Sequence, residues 1–125
     1  MHLLLALAAA CSVLTVSPAE ARPAPNRQLL GRPVDGRPIY AVEVGDPAAA
    51  RKVVVVGCVH GDECSGMAIT TLLPARRPPP GVDLWIIPTL NPDGAAAGTR
   101  GNADGVDLNR NFPWRWQRAG GVFDS

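Results

Sequence analysis

The chain has 125 residues, with 12 basic and 11 acidic side chains and a formal net charge of +1. That balance, with no basic patch interleaved with aromatics, argues against nucleic acid as a partner. The length allows one small core, and past the amino terminus no apolar run is long enough to cross a bilayer.

The opening run, MHLLLALAAA, is apolar but too short to span a membrane. Small and polar residues carry it to Ala19-Glu20-Ala21, an A-x-A pattern suited to signal peptidase. We therefore expect residues 1–21 to be a signal peptide and the mature protein to be secreted, although no Lys or Arg precedes the apolar run. Ala8-Ala9-Ala10-Cys11 loosely resembles a lipobox, so lipid anchoring through Cys11 is the lesser alternative. Residues 22–27, RPAPNR, read as a proline-rich linker, and the folded domain is expected over residues 28–125.

In residues 28–44 the pattern predicts a hairpin: a short strand through Leu29 and Leu30, a turn at Asp35-Gly36, and a second strand running from Pro38 to Val44. The uninterrupted Val53-Val54-Val55-Val56 predicts a central strand covered on both faces. Residues 63–73 suit a helix that ends at Pro74, with Met67, Ile69, Leu72 and Leu73 sharing part of one face. Residues 82–90 read as another strand, with Leu84, Trp85, Ile86 and Ile87 buried. Residues 91–112 are a long run of turn formers, and a loop of that length is usually functional or disordered. Strand, helix, strand in this order implies an α/β domain with neighbouring parallel strands.

Two features carry chemistry. In His60-Gly61-Asp62-Glu63 an imidazole and a carboxylate stand three residues apart where a strand gives way to a helix. A chain turning there can aim both at one cation, and zinc accepts both donors. Taken alone, so short a motif recurs by chance, and the plainer reading has Glu63 capping the helix and His60 ending the strand. Cys58 and Cys64 flank this motif. In an exported protein such a pair forms a bridge that would pin the turn; the other reading is two small buried apolar side chains. The second feature is Asn91-Pro92-Asp93-Gly94, followed by Arg100 and then GVDLNRNFP over residues 105–113. Arg and Asn gather there beyond a strand, at the sheet edge where ligands bind in α/β folds. A guanidinium offers a carboxylate two parallel donors, whereas the plain alternative is a solvated loop.

In this order, HxxE after an apolar strand, NPDG after the next strand, a lone Arg and GVDLNRNFP resemble the zinc carboxypeptidase family. Within it they are most similar to bacterial members that trim peptidoglycan peptides. The resemblance runs from about Val53 to Pro113. It implies a three-layer α/β/α domain with a mixed sheet, of which this chain is the amino-terminal half. It also implies one Zn2+ ion, with His60 and Glu63 as the first two of three protein ligands. Asp107 matches the carboxylate that accepts a hydrogen bond from the ligand histidine and orients its ring. Arg100 matches the guanidinium that stabilises the developing oxyanion. Asn109 and Arg110 match the pair that grips the terminal carboxylate of a peptide substrate.

Two departures qualify what the resemblance implies. Digestive members of the family carry an Arg within the HxxE segment, whereas this chain has Asp62. An acid there would attract an amine, which points to an amino-bearing substrate such as a diaminopimelate-containing peptidoglycan peptide. The family also takes its third ligand from a downstream His and its general base from a late Glu. Here the histidines are His2 and His60, and Asp124 is the sole acidic residue after Asp107. The expectation is a fragment of a zinc-dependent metallocarboxypeptidase or amidase hydrolysing a peptide or amide bond next to a free carboxylate. The alternatives are an N-acyl amino acid deacylase of the same superfamily and a non-catalytic exported binding protein or remnant.

Overall fold

The computed structural model of the chain describes residues 25–118. The expected signal peptide with Cys11, residues 22–24 of the linker and Asp124 lie outside the described residues. The hairpin forms, from β1 (Asn26–Gly31) and β2 (Ile39–Gly45), but Asn26 and Arg27, read as linker, belong to β1, where they pair with Glu43 and Val42. Its turn closes at Asp35-Gly36, where the Gly36 N–H donates to the Pro33 carbonyl at 2.9 Å. The arms pair antiparallel, with Leu29 opposite Tyr40 and Arg27 opposite Val42. The Arg27 guanidinium lies 3.7 Å from the centroid of the Tyr40 ring, a cation–π contact between diagonal neighbours.

Next come β3 (Arg51–Val56) and β4 (Val82–Ile87), which pair in parallel with Val53 opposite Leu84 and Val56 opposite Ile87. Parallel neighbours need a long crossover, and α1 (Gly66–Leu72) lies on it. Because β2 joins β4 antiparallel, the order is β1-β2-β4-β3 and the sheet is mixed. The core sits at its middle, where Ala41 and Ile86 have no exposure and Val44, Val82 and Ile87 are buried.

Several predicted elements are displaced. The all-apolar run of β3 predicts a central strand, yet among the described residues β3 is the outer one and Val54 is 60% exposed. The crossover places β4 inside it, against β2, so β3 has one neighbour. The helix predicted from residue 63 begins at Gly66, because residues 60–65 are spent on turns. Pro74 does not end the structure: it sits in a 3-10 turn, Leu73–Ala75, near the start of which its missing N–H costs nothing. The predicted apolar face of α1 is also turned. Ile69 and Leu72 are 60% and 64% exposed, while Thr70 is the buried side chain. The helix meets the sheet through glycine: a Cβ on Gly66 would stand 2.3 Å from the Gly57 carbonyl oxygen, and one on Gly57 2.7 Å from Thr70 Oγ1. Backbone-close packing therefore sets the helix orientation and overrides the apolar periodicity. The strand predicted over residues 82–90 stops at Ile87, before Pro88, which has no N–H to continue the ladder. Within it Ile86 and Ile87 are buried, and Leu84 and Trp85 are half-buried. Among the described residues no helix is long and apolar enough to cross a membrane.

At the foot of the sheet the buried Asp83 accepts from Lys52 Nζ and Trp85 Nε1, both at 2.9 Å on Oδ2. The Lys52 hydrogen bond, then that from Trp85, holds the Asp83 carboxyl below its ordinary value. A carboxyl lowered in the folded state stabilises it above the unfolded pKa, and the contribution fades as pH falls through the folded value. Asp83→Asn is therefore expected to lower stability at neutral pH. Urea titrations should show the gap to the parent protein closing as pH drops below 3.8, the carboxyl's ordinary value.

Candidate metal centre

Two corners of the chain meet beyond the carboxyl ends of β3 and β4. The first leaves β3 through Gly57 and Cys58 and turns at His60, whose carbonyl accepts the Glu63 N–H at 3.0 Å. A disulfide joins Cys58 to Cys64, with 4.6 Å between their Cα atoms, within the range such bridges adopt. Of the two readings of this pair, the structure takes the bridge. Glu63 lies ahead of α1, whose N-cap is Ser65, so it does not cap the helix and its carboxylate is left for other partners.

The second corner follows β4. Residues 91–112, predicted as a structureless loop, contain a helix, α2 (Pro92–Ala97), and a 3-10 turn, Leu108–Arg110. Asn91 is the N-cap of α2: its Oδ1 accepts the Gly94 N–H at 2.9 Å, and Pro92 supplies the preset backbone angle behind it. The buried Asn91 carboxamide also donates through Nδ2 to the Gly101 carbonyl at 3.0 Å, tying the helix start to the loop that carries Arg100. Asp93 is buried too, and accepts from Arg37 Nη1 and the Asp35 N–H, both at 3.0 Å. The tip of the distant hairpin is thus fastened to this corner. An Asn before Pro is a cap signal legible in the sequence; the partners of Asp93 leave no such trace.

The corners touch at glycine. A Cβ on Gly61 would lie 2.0 Å from the Gly94 carbonyl carbon and 2.4 Å from the Ala95 nitrogen. HGDE and NPDG, two separate motifs in the chain, are therefore one packed unit, with the backbone of each filling the space a side chain would need.

Four of the expected site residues close a ring across this contact. His60 Nε2 lies 2.9 Å from Asp107 Oδ1, and His60 Nδ1 lies 3.3 Å from Glu63 Oε2. Arg100 completes the circuit, donating from Nε to Asp107 Oδ2 and from Nη1 to Glu63 Oε1, each at 3.0 Å. Asp107 and His60 are buried, whereas the Glu63 side chain is 61% exposed. Burial pushes the Asp107 carboxyl up, but hydrogen bonds from His60, the Asn109 N–H and Arg100 outweigh it and hold the group below its ordinary value. When His60 donates its Nε2 proton to Asp107, the neutral tautomer of the ring carries a lone pair on Nδ1. That lone pair faces a second electron-rich atom, Glu63 Oε2.

His60 Nδ1 and Glu63 Oε2 are at hydrogen-bond distance, 3.3 Å apart, and the same spacing suits two ligands of one cation. Tetrahedral zinc at ~2.0–2.2 Å from each donor sets neighbouring ligands about 3.4 Å apart. Imidazole nitrogen and carboxylate oxygen are both zinc donors, so the pair fits that ion in chemistry and in spacing. Among the described residues no group of three or more His, Cys, Asp or Glu side chains is placed to hold a metal; the pair offers two donors. Asp62, Asn109 and Arg110 are exposed. Asn109 and Arg110 sit on the 3-10 turn capped by Asp107, whose Oδ1 accepts the Asn109 N–H at 2.9 Å. Among the described residues the Arg110 guanidinium reaches only the Asn109 carbonyl, at 3.2 Å, and Asp62 has no hydrogen bond or ion pair.

A family model described as zinc carboxypeptidase matches residues 80–125. Over 95 residues the chain is 38% identical to murein peptide amidase A of Escherichia coli, covering 71% of this chain and 36% of that protein. Over 100 residues it is 35% identical to carboxypeptidase SOL1 of Arabidopsis thaliana, covering 67% of this chain and 20% of that protein. Among solved structures, the murein-tripeptide amidase of Escherichia coli O157 aligns with a TM-score of 0.54 at 34% identity, over 78% of this chain and 41% of that one. The chain spans well under half the length of the curated relatives it matches.

Proposed function

We propose, on the premise that this chain carries part of a zinc carboxypeptidase domain, that the complete protein hydrolyses a peptide or amide bond beside a free carboxylate. The observation that carries this reading is the closed ring of His60, Glu63, Arg100 and Asp107. His60 Nδ1 and the Glu63 carboxylate hold zinc, and the third ligand and general base come from outside the described residues. When bound, zinc polarises a carbonyl and brings the pKa of water near neutrality. Asp107 keeps the His60 ring in the tautomer that presents Nδ1. Arg100 Nη2 has no partner within the described residues, and it donates to the oxygen on which negative charge develops. The exposed Asn109 and Arg110 receive the substrate's terminal carboxylate, Arg110 through its paired donors.

Asp62 deepens the substrate reading. An unpartnered carboxylate beside Glu63 favours a substrate amine, and a diaminopimelate-containing peptidoglycan peptide has both the amine and the carboxylate. The amidases found among the relatives act on murein peptides by name, which supports this choice. Export supplies the access such a substrate requires; the A-x-A site at residues 19–21 and the Cys58–Cys64 bridge support it.

The test is zinc analysis of the complete protein together with release of terminal residues from peptides that differ only by a side-chain amine. Zinc at one ion per chain and faster release from the amino-bearing peptide are expected. Asp62→Ala should shrink that preference about two- to fivefold, the scale of an exposed charge pair. A complete protein that binds no zinc sinks the hydrolase reading, and an unchanged preference in Asp62→Ala sinks the substrate assignment alone.

A further inference from the structure

We infer that the Cys58–Cys64 disulfide pre-organises the His60–Glu63 pair, so that the site's metal affinity rises and falls with the oxidation state of this bond. The inference rests on the reading of His60 and Glu63 as metal ligands. The bridge closes a loop with a sequence separation of six, and both donors lie inside it. Its two ends are anchored on different elements. The Cys58 carbonyl accepts the Leu90 N–H at 2.9 Å, beside the second corner, and the Cys64 carbonyl accepts the Met67 N–H at 3.0 Å in the first turn of α1. The two sulfurs lie 3.2 and 3.5 Å from the His60 carbonyl oxygen, so the bridge packs against the peptide that carries the ligand.

Inside the loop the Gly61 backbone packs against Gly94 and Asp107 holds His60, whereas Glu63 is the less restrained donor. One backbone hydrogen bond crosses it, from the Glu63 N–H to the His60 carbonyl. The exposed Glu63 side chain is steered by Arg100 and by no packing of its own. His60 is locked by Asp107, so an opened loop loses the position of Glu63 relative to a fixed ring. Cys58 is buried, but Cys64 is half-buried and gives a reductant its approach. A phosphine reductant supplies the two electrons and leaves as the phosphine oxide, its oxygen taken from water, while the S–S bond becomes two thiols. The loop-closure entropy of so short a loop sets an upper bound of roughly 50-fold on the loss of affinity for an ion needing both donors.

The experiment measures zinc affinity by competition with a chromophoric chelator, on the complete protein. It compares the oxidised form, the phosphine-reduced form after desalting, and the Cys58→Ala/Cys64→Ala variant, all well below their unfolding transitions. Reduction is expected to weaken binding measurably, by no more than roughly 50-fold, and re-oxidation to restore it in the parent protein only. The double variant should bind like the reduced form and ignore both treatments. In metal-free protein the Glu63 amide should exchange hydrogen faster after reduction. Equal zinc affinity in the oxidised protein and in the Cys58→Ala/Cys64→Ala variant, which has no thiol at this loop to bind zinc itself, overturns the inference while leaving the hydrolase reading intact. Absence of zinc binding in the oxidised form overturns both.

Discussion

Replacing Asp107 by alanine is expected to weaken zinc binding by the complete protein about 10- to 100-fold, the usual cost of losing the partner that orients a ligand histidine. The expectation follows from how many groups converge on this one buried carboxylate. It accepts from His60 Nε2, Arg100 Nε and the Asn109 N–H within 3.0 Å. Without it the His60 ring is free to take the other tautomer, which puts a proton on the nitrogen facing Glu63. Arg100 loses one of its two anchors, and the turn presenting Asn109 and Arg110 loses its cap. Stability should fall by about 2 to 4 kcal/mol, because the buried donors are left without an acceptor. Asp107→Asn separates the contributions: it can cap the turn but brings no charge, so more of the stability than of the zinc affinity should return. Chelator competition and urea denaturation measure the two. Zinc affinity within twofold of the parent in Asp107→Ala contradicts the orienting role.

Gly61→Ala should be the most damaging single-methyl change in the described residues. The added Cβ falls 2.0 Å from the Gly94 carbonyl carbon and 2.2 Å from its oxygen. No rotamer change relieves a collision between two backbones, so the HGDE and NPDG corners must separate. A cost of about 3 kcal/mol or more is expected, at or beyond the upper end of overpacking effects, with loss of the His60–Asp107 hydrogen bond. Gly31→Ala is the control, since nothing lies within 4 Å of its Cβ position and its φ is not positive. The midpoint in urea should move strongly for the first and by less than about 0.5 kcal/mol for the second. Similar midpoints for both would show that the corners are not in the contact described.

What the sequence made legible was what short-range chemistry dictates. The Asp35-Gly36 turn, the two strands flanking it and the β3–α1–β4 order follow from turn residues and β-branched runs, and they appear in the structure. The ordered motifs likewise brought His60, Glu63, Arg100 and Asp107 forward as candidates, and the fold assembles those four. What it hid was set by long-range contact. The true inner face of α1 is Gly66 and Thr70, which no apolar pattern marks. The outer position of β3 depends on which strand the crossover places beside β2. The ion pair of Arg37 with Asp93 spans 56 residues, and neither residue belongs to a periodic pattern.

That ion pair has a consequence for how the molecule opens. With its side chain 1% exposed, Asp93 cannot lose Arg37 and the Asp35 N–H without stranding a carboxylate away from water. The hairpin tip and the first turn of α2 are therefore expected to open together, with matching hydrogen-exchange protection. A lesion in residues 35–37, remote in the chain from His60 and Glu63, is expected to reach the support beneath Gly61.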